Sequence, residues 1–175
     1  DLHIFQGVSV IVGNDADDVE NQYQTTAALV SINDALNYLG RYFEHHDFSQ
    51  YPLDAPFPDI GDLGKNSFRS TTDEIKRNAR ERNLTLRQVA LEAASPRPRF
   101  CGTPEQVADG LQAWFEEKAA DGFIIQGGTP DTFPRFVDQV VPVLQARGLF
   151  RTDYPGTTLR ESLGLDEPKN QFTQQ

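Results

Sequence analysis

The chain has 175 residues, of which 38% are hydrophobic and 24% are charged, and its formal net charge is -10. This composition is typical of a globular domain and excludes a generally disordered chain. The acidic charge argues against nucleic-acid binding and against an anionic membrane surface, because both require a cationic face. The one cysteine excludes an intrachain disulfide and a cysteine-based zinc cluster.

The N-terminal segment predicts a strand followed by helices. Residues 2–12 read LHIFQGVSVIV, an apolar run that is typical of a parallel-sheet strand buried on both faces. Asn14 or Asp15 can cap the helix that follows. Residues 31–39 extend this helix or start another one, and Gly40 is the expected stop.

A long segment without periodicity covers residues 41–68. Its prolines, glycines and aspartates predict turns, whereas its aromatic side chains supply enough burial area to order it. Two helices with capping-box signals are expected next, at Thr71 with Glu74 and at Thr85 with Gln88. We expect the excursion, residues 41–99, to form a lid and one wall of a substrate pocket. Within it, Lys65, Arg69 and Arg80 are candidates to meet an acidic substrate, although solvated charges are the simpler interpretation.

The rest of the chain predicts two more strands, each followed by a helix. A proline-rich segment, SPRPR, precedes a short strand at about residues 99–101. Thr103 caps the next helix, with Pro104 at its first position and Gln106 closing a capping box. The strand in DGFIIQGG leads to a final helix from about Asp131, which is kinked at Pro142 and ended by Gly148. Right-handed crossovers make the three predicted strands parallel.

Two collinear segments near the C-terminus have a recognisable pattern, GTPEQVADGLQAWFEEKAADGFIIQGG and FVDQVVPVLQARGLFRTDYPGTTLRESLGL. They resemble the C-terminal end of luciferase-like flavin-dependent monooxygenases, the family of nitrilotriacetate monooxygenase component A and dibenzothiophene-sulfone monooxygenase. The excursion resembles the branch of that family that acts on sulfur compounds and S-modified cysteines. The resemblance extends to about Leu165.

The resemblance implies an α/β fold, the C-terminal part of a (β/α)8 TIM barrel with about three parallel strands and a long insertion at 41–99. A complete barrel needs roughly 250 residues, more than this chain has. We therefore interpret residues 1–165 as the C-terminal portion of the barrel and 166–175 as a frayed tail. The main flavin contacts are then expected upstream of Asp1, and no individual catalytic residue is identified.

The resemblance also implies a two-component reaction. Reduced FMN comes from a separate NAD(P)H:FMN reductase, O2 is the co-substrate, and a small organic compound, sulfur- or nitrogen-containing, receives one oxygen atom. A homo-oligomer, or pairing with an N-terminal part, is expected to cover the apolar surface of the partial barrel. No segment approaches the roughly 18 apolar residues of a membrane span, and no cleavage signature begins the chain, so we expect a cytoplasmic protein.

Barrel active sites lie at the carboxyl ends of the strands. The expected substrate-binding residues are therefore Phe100, Cys101, Gln126, Gly127 and Gly128. The diglycine precedes a helix and could cradle a phosphate, but the resemblance places the phosphate site upstream, so we favour a turn or a substrate-side wall. We identify no cationic neighbour of Cys101 and expect an inert thiol.

Two alternatives to this interpretation stay open. His45 and His46 lie between Glu44 and Asp47, but adjacent residues rarely bind one ion, so we interpret them as surface histidines and predict no metal site. The chain as a whole could instead be a non-catalytic flavin-binding or interaction protein built on a partial barrel.

Overall fold

The computed structural model describes residues 2–66, 68–166, 168 and 172. Its strands are β1 (Phe5–Val12), β2 (Phe100–Gly102) and β3 (Gly122–Gln126), and all of them are parallel. The predicted parallel α/β arrangement is confirmed. The strand order is β2-β1-β3. Consecutive strands of a barrel lie side by side in chain order, which would put β2 in the middle. The long β1 occupies the middle because its first five residues pair with β3 and its last three pair with β2.

Eight α-helices are assigned within the described residues. Their bounds are α1 Ala16–Ala27, α2 Ile32–Tyr42, α3 Arg69–Glu81, α4 Leu86–Ala94, α5 Pro104–Glu116, α6 Thr132–Arg135, α7 Val141–Ala146 and α8 Leu159–Ser162. A 3-10 turn lies at Phe48–Gln50, and a π-helical turn at Phe136–Val140 joins α6 to α7. Pro142, the predicted kink, is the second residue of α7, which follows this π turn, and Gly148 adopts φ +71 just after the helix ends.

The helix start signals were correct in three places and wrong in one. Asp15 caps α1, and Thr85 and Thr103 form the predicted capping boxes of α4 and α5. The predicted start at Thr71 is wrong, because α3 begins at Arg69 with no side-chain cap. Thr72 is fully buried in the first turn and donates its hydroxyl to Arg69 O at 3.1 Å. Packing of that turn, rather than a cap, fixes where the helix begins.

Gly40 does not end α2 as predicted. The helix continues to Tyr42, and Gly40 is buried within it. A Cβ at Gly40 would lie 2.7 Å from His46 O, so the glycine permits a close approach of the following backbone. Glu44 and His45, both at positive φ, form the turn that brings the chain back.

One face of β1 is open, which corrects the prediction of a strand buried on both faces. Val8, Val10 and Val12 are buried against the helices, with 7%, 2% and 2% of their surface exposed. On the other face, Phe5 is 61% exposed and Ser9 is also exposed. Strand pairing also begins at Phe5 rather than at residue 2. Among the described residues, helices cover only one side of the sheet.

The core consists of two hydrophobic clusters. The sheet cluster joins β1 and Phe100 to α5 and to the helical segment 132–146. This segment, which comprises α6, the π-helical turn and α7, is called the final helix because it is the last helix predicted from the sequence. The insertion cluster joins α2 to the excursion and to α3 and α4, with Phe43 and Phe48 almost fully buried. Because α2 belongs to this cluster, the helical unit begins before residue 41. In the described residues of the excursion, most aromatic side chains are packed in or against this cluster, as predicted.

Side chains of α1 contact the proline-rich segment between α4 and β2. Tyr23 donates its hydroxyl to Ser95 O at 3.0 Å, and the Arg97 guanidinium lies 5.2 Å from the centre of the Tyr23 ring. These contacts fix the proline-rich segment that leads into β2. The predicted frayed tail, 166–175, falls mostly outside the described residues. No described helix is long and apolar enough to cross a membrane.

Candidate active site

The open face of the sheet brings two of the predicted substrate-binding residues onto one surface. The strand register pairs Cys101 with Ile11 and Gln126 with Ser9. Side chains alternate between the two faces of a strand, and the buried valines of β1 occupy the helix side. Cys101 and Gln126 therefore lie on the open side, separated by the central strand. Gln126 is exposed and Cys101 is half-buried.

Gly7 makes room for the Gln126 carboxamide on this face. A Cβ at Gly7 would lie 3.1 Å from Nε2 of Gln126, closer than nine in ten real contacts. The neighbouring Ile124 is 56% exposed on the same face. The open surface is therefore apolar, with one amide positioned to donate or accept a hydrogen bond.

Phe100 lies on the opposite face from Cys101. It is only 5% exposed, and its ring packs edge-on at 5.2 Å from Trp114 and 6.1 Å from Phe123. A Cβ at Gly110 would come within 2.9 Å of the Phe100 ring, so α5 approaches it closely. The structure thus places Phe100 in the core and does not bring it to the open face.

The diglycine forms an exposed connection after β3. A Cβ built at Gly127 would lie 3.5 Å from Thr129 O, which is an ordinary contact, and no atom lies within 4 Å of a Cβ built at Gly128. Thr129 N donates to Thr132 Oγ1 at 3.2 Å, which closes the turn into α6. The arrangement matches the turn interpretation, and it puts both glycines at the same end of the sheet as Gln126.

Cys101 has a cationic neighbour that the sequence reasoning missed. The Arg97 guanidinium hydrogen-bonds the Glu20 carboxylate. This hydrogen bond, followed by the interaction with Cys101, raises the pKa of Arg97 above its ordinary value. Our expectation of no cation beside Cys101 is therefore wrong. The only signal in the sequence was the short separation of Arg97 from Cys101 across a proline-broken segment.

A polar cluster closes the carboxyl end of β1. Gln22 Nε2 donates to Val12 O at 3.0 Å, and Arg135 Nη1 lies 3.5 Å from the same oxygen. Arg135 also lies 3.5 Å from Asp18 Oδ2, which accepts the backbone N–H of Asn14 at 2.9 Å. This backbone hydrogen bond, followed by Gln22 and the Arg135 charge, lowers the pKa of Asp18 from its usual 3.8.

Sequence reasoning did not identify this cluster. Asp18 looked like an ordinary acid in the first turn of a helix, which the helix dipole favours. Arg135 is the one cation in α6, and that position was its only signal. Their proximity depends on the packing of the final helix against β1, which no local pattern encodes.

The insertion holds a second concentration of polar residues. Lys65, Arg69 and Arg80, the candidates for an acidic substrate, line one groove. His46 lies elsewhere, with Nε2 3.1 Å from the Tyr51 hydroxyl and its ring against Phe48. Within the described part of the chain, no group of three or more metal-ligating side chains is assembled.

Several curated relatives match nearly the whole chain, including the following three. N-acetyl-S-(2-succino)cysteine monooxygenase of Bacillus subtilis (strain 168) is 37% identical over 98% of this chain and 40% of that protein. Nitrilotriacetate monooxygenase component A of Aminobacter aminovorans is 39% identical over 97% of this chain and 38% of that protein. Dibenzothiophene-sulfone monooxygenase of Rhodococcus erythropolis is 36% identical over 96% of this chain and 38% of that protein. The chain thus spans about 40% of the curated relatives' length.

Solved structures agree with these relatives. EDTA monooxygenase from Chelativorans sp. BNC1 has a TM-score of 0.58 and 31% identity, covering 94% of this chain and 38% of its own. DmoA from Hyphomicrobium sulfonivorans has a TM-score of 0.67 and 27% identity, covering 92% and 34%. No protein-family model matches the chain. The predicted fold, part of a luciferase-like (β/α)8 barrel, is confirmed.

Proposed function

We propose, from the premise that this chain belongs to the luciferase-like monooxygenases and corresponds to their C-terminal part, that it completes the active site of an FMN-dependent monooxygenase. The whole protein would transfer one oxygen atom from O2 to a small organic substrate. The observation that carries the proposal is the open face of the sheet, since a parallel sheet with one uncovered apolar face is what one side of a barrel interior requires.

The open face fits one wall of a flavin and substrate cavity. Gly7 lets the Gln126 carboxamide lie close to the sheet, Ile124 provides apolar contact, and the Gln126 amide supplies a directional hydrogen bond. The flavin supplies the oxygen chemistry when it is bound, and the protein orients the reactants and excludes water. We assign substrate contacts to Cys101 and Gln126, with Gly127 and Gly128 as the rim.

The rest of the barrel is the proposed neighbour of β3. A cavity of about 480 Å³ opens there between α5 and the final helix, with mainly apolar walls. Phe5 and Phe133 are 61% and 56% exposed at its edge. Apolar surface of this extent favours association, so we propose that an N-terminal barrel portion or a second copy covers it.

The names of the relatives support the proposed partners. One of them is named component A, which supports a two-component system in which a separate NAD(P)H:FMN reductase delivers reduced FMN. Two others are named for oxidation of an S-modified cysteine and of a sulfone. We propose a sulfur- or nitrogen-containing substrate of this kind and a cytoplasmic setting, where NAD(P)H is available.

The proposal is tested on the intact protein, as its own gene encodes it. The protein is mixed with an FMN reductase, NADH, labelled ¹⁸O2 and a panel of thioethers, sulfones and aminopolycarboxylates. The expected result is a substrate-dependent product that carries one labelled oxygen. Oxygen consumption that yields only hydrogen peroxide with every compound would contradict the proposal.

A pair of variants tests the role of the open face. Gln126→Ala removes the amide from this face. Gln24→Ala removes the exposed side chain of a glutamine in α1, which among the described residues donates to Glu20 Oε1 at 2.7 Å. We expect Gln126→Ala to lower kcat/KM about tenfold or more, because one directed hydrogen bond of roughly 1.5 kcal/mol is lost. Gln24→Ala should leave kcat/KM unchanged.

A further inference from the structure

A groove in the insertion concentrates positive charge in an acidic protein. It has a volume of about 580 Å³ and lies between α3 and the loop 61–66. We call it the basic groove. Its charged lining consists of five basic and three acidic side chains: Lys65, Arg69, Lys76, Arg77 and Arg80, with Asp62, Asp73 and Glu81. The whole chain carries a net charge of -10, so this surplus is local.

The shape of the basic groove is held by fixed contacts. Lys76 Nζ donates to Gly61 O at 2.8 Å and to Leu63 O at 2.7 Å, and it lies 5.6 Å from the centre of the Phe43 ring. Gly64 has φ +88, and a Cβ there would meet the buried Thr72 at 2.8 Å. The loop is therefore clamped onto α3. A groove that is formed in advance loses little conformational entropy when a ligand binds.

Much of the positive charge is not neutralised. Lys76 is bound by backbone carbonyls and an aromatic ring, so its charge persists. Among the described residues, no carboxylate oxygen lies within 4.0 Å of a guanidinium nitrogen of Arg77 or Arg80. Two pairs do form at the rim, Lys65 with Asp62 at 3.0 Å and Arg69 with Asp73 at 3.7 Å, and all four side chains are more than half exposed.

The positive charges of the groove affect the ionisation of Asp62, an acid in its lining. The pKa of Asp62 is lowered from its usual 3.8, first by the hydrogen bond from Lys65 and then by the charges of Lys65, Lys76 and Arg69. An anion that entered the groove would meet the same charges together with Arg77 and Arg80. Guanidinium groups bind carboxylate and phosphate oxygens through paired hydrogen bonds.

From this arrangement we propose that the basic groove binds a small molecule that carries two or more negative charges as carboxylates or phosphates. None of the lining residues lies in β1, β2 or β3. The proposal therefore assigns Lys65, Arg69 and Arg80 to a site additional to the open face of the sheet, in place of the substrate contacts expected for them from the sequence. The volume of about 580 Å³ accommodates an anion larger than a single phosphate.

Binding is measured by calorimetry on the intact protein at constant ionic strength, with citrate, pyrophosphate and, as the singly charged comparison, acetate. We expect saturable 1:1 binding of citrate or pyrophosphate and at least about tenfold weaker binding of acetate, because two fixed cations act on each multiply charged ligand. The tighter of the two multiply charged probes assigns the ligand to carboxylates or to phosphates. Absence of saturable binding of both would overturn the proposal.

Two double variants separate a specific groove from general attraction. R77Q/R80Q removes two groove charges, and K118Q/R151Q removes two charges that lie outside the groove beside aromatic rings. We expect about tenfold or greater loss of citrate or pyrophosphate affinity in the first variant only. Equal losses in both variants would overturn the proposal. Circular dichroism and thermal unfolding establish that each variant is folded before binding is compared.

Discussion

Arg135 and Asp18 meet at the carboxyl end of the central strand, with Nη1 and Oδ2 3.5 Å apart. The contact joins the final helix to the start of α1, and Arg135 Nη1 also lies 3.5 Å from Val12 O. Both side chains are about one-third exposed, so the pair contributes little to stability by itself. Its position at the end of the sheet where barrel active sites form is what makes it informative.

Replacing Arg135 tests whether this contact orients the proposed active site. We expect Arg135→Gln to lower the product formed per O2 consumed, because the end of β1 and the start of α1 lose a shared partner. The loss of stability should stay below about 1 kcal/mol. Oxygen consumption and product yield are measured together on the intact enzyme.

Arg147→Gln is the matched control, since Arg147 lies at the far end of the same helical segment and pairs with Asp109 at 2.8 Å. Its product yield should equal that of the wild type. If both variants lose product yield equally, the Arg135 contact has no special part in the site.

The lowered pKa of Asp18 predicts how the stability of the protein changes with pH. Its pKa is lower in the folded chain than its usual 3.8, chiefly because of the Asn14 backbone hydrogen bond. The stabilisation is therefore complete above that usual value and is lost as the pH falls through the lower, folded value. Asp18→Asn should melt below the wild type at pH 7, and the difference in Tm should narrow below about pH 4.

Asp17→Asn is the control for loss of the Asp18 contacts, because among the described residues the Asp17 side chain makes no hydrogen bond or ion pair. It should lower the Tm at pH 7 by less than Asp18→Asn does. A gap between Asp18→Asn and the wild type that stays constant down to pH 2 would show that the Asp18 charge is not involved.

The local signals in the sequence predicted local structure well. The capping boxes at Thr85 and Thr103 depend on residues three positions apart, so the sequence alone specifies them. The same type of signal failed at Thr71, because burial of the neighbouring Thr72 against Gly64 moved the start of α3. A local pattern predicts structure only where no tertiary contact competes with it.

The composition of the candidate site was only partly predictable. Cys101 and Gln126 were identified because barrel active sites lie at the carboxyl ends of strands. The face of the sheet on which each residue lies, however, depends on the exact strand register. A shift of one residue separates Phe100 in the core from Cys101 on the open face. Arg97 and Arg135 reach the site through folds of the chain that the sequence pattern does not encode.

The insertion cluster should depend strongly on α2. Leu39 is fully buried in this cluster, whereas Leu29, at the end of α1, is 81% exposed. Leu39→Ala leaves a cavity and should cost about 2–5 kcal/mol of unfolding free energy, while Leu29→Ala should cost less than about 0.5 kcal/mol. Urea unfolding of the two variants measures both values. Similar costs would mean that α2 is not packed as described.

Two glycines give the sharpest test of the fold. A Cβ at Gly40 would lie 2.7 Å from the backbone oxygen of His46, which cannot move without opening the turn at Glu44 and His45. Gly40→Ala should therefore cost about 1–3 kcal/mol, even though alanine is the better helix former by about 1 kcal/mol. At Gly128 nothing lies within 4 Å of the added Cβ, so Gly128→Ala should change the unfolding free energy by less than about 0.5 kcal/mol. If Gly40→Ala were instead stabilising, the higher helix propensity of alanine would outweigh the cost of the contact. The close approach of His46 to α2 would then be absent.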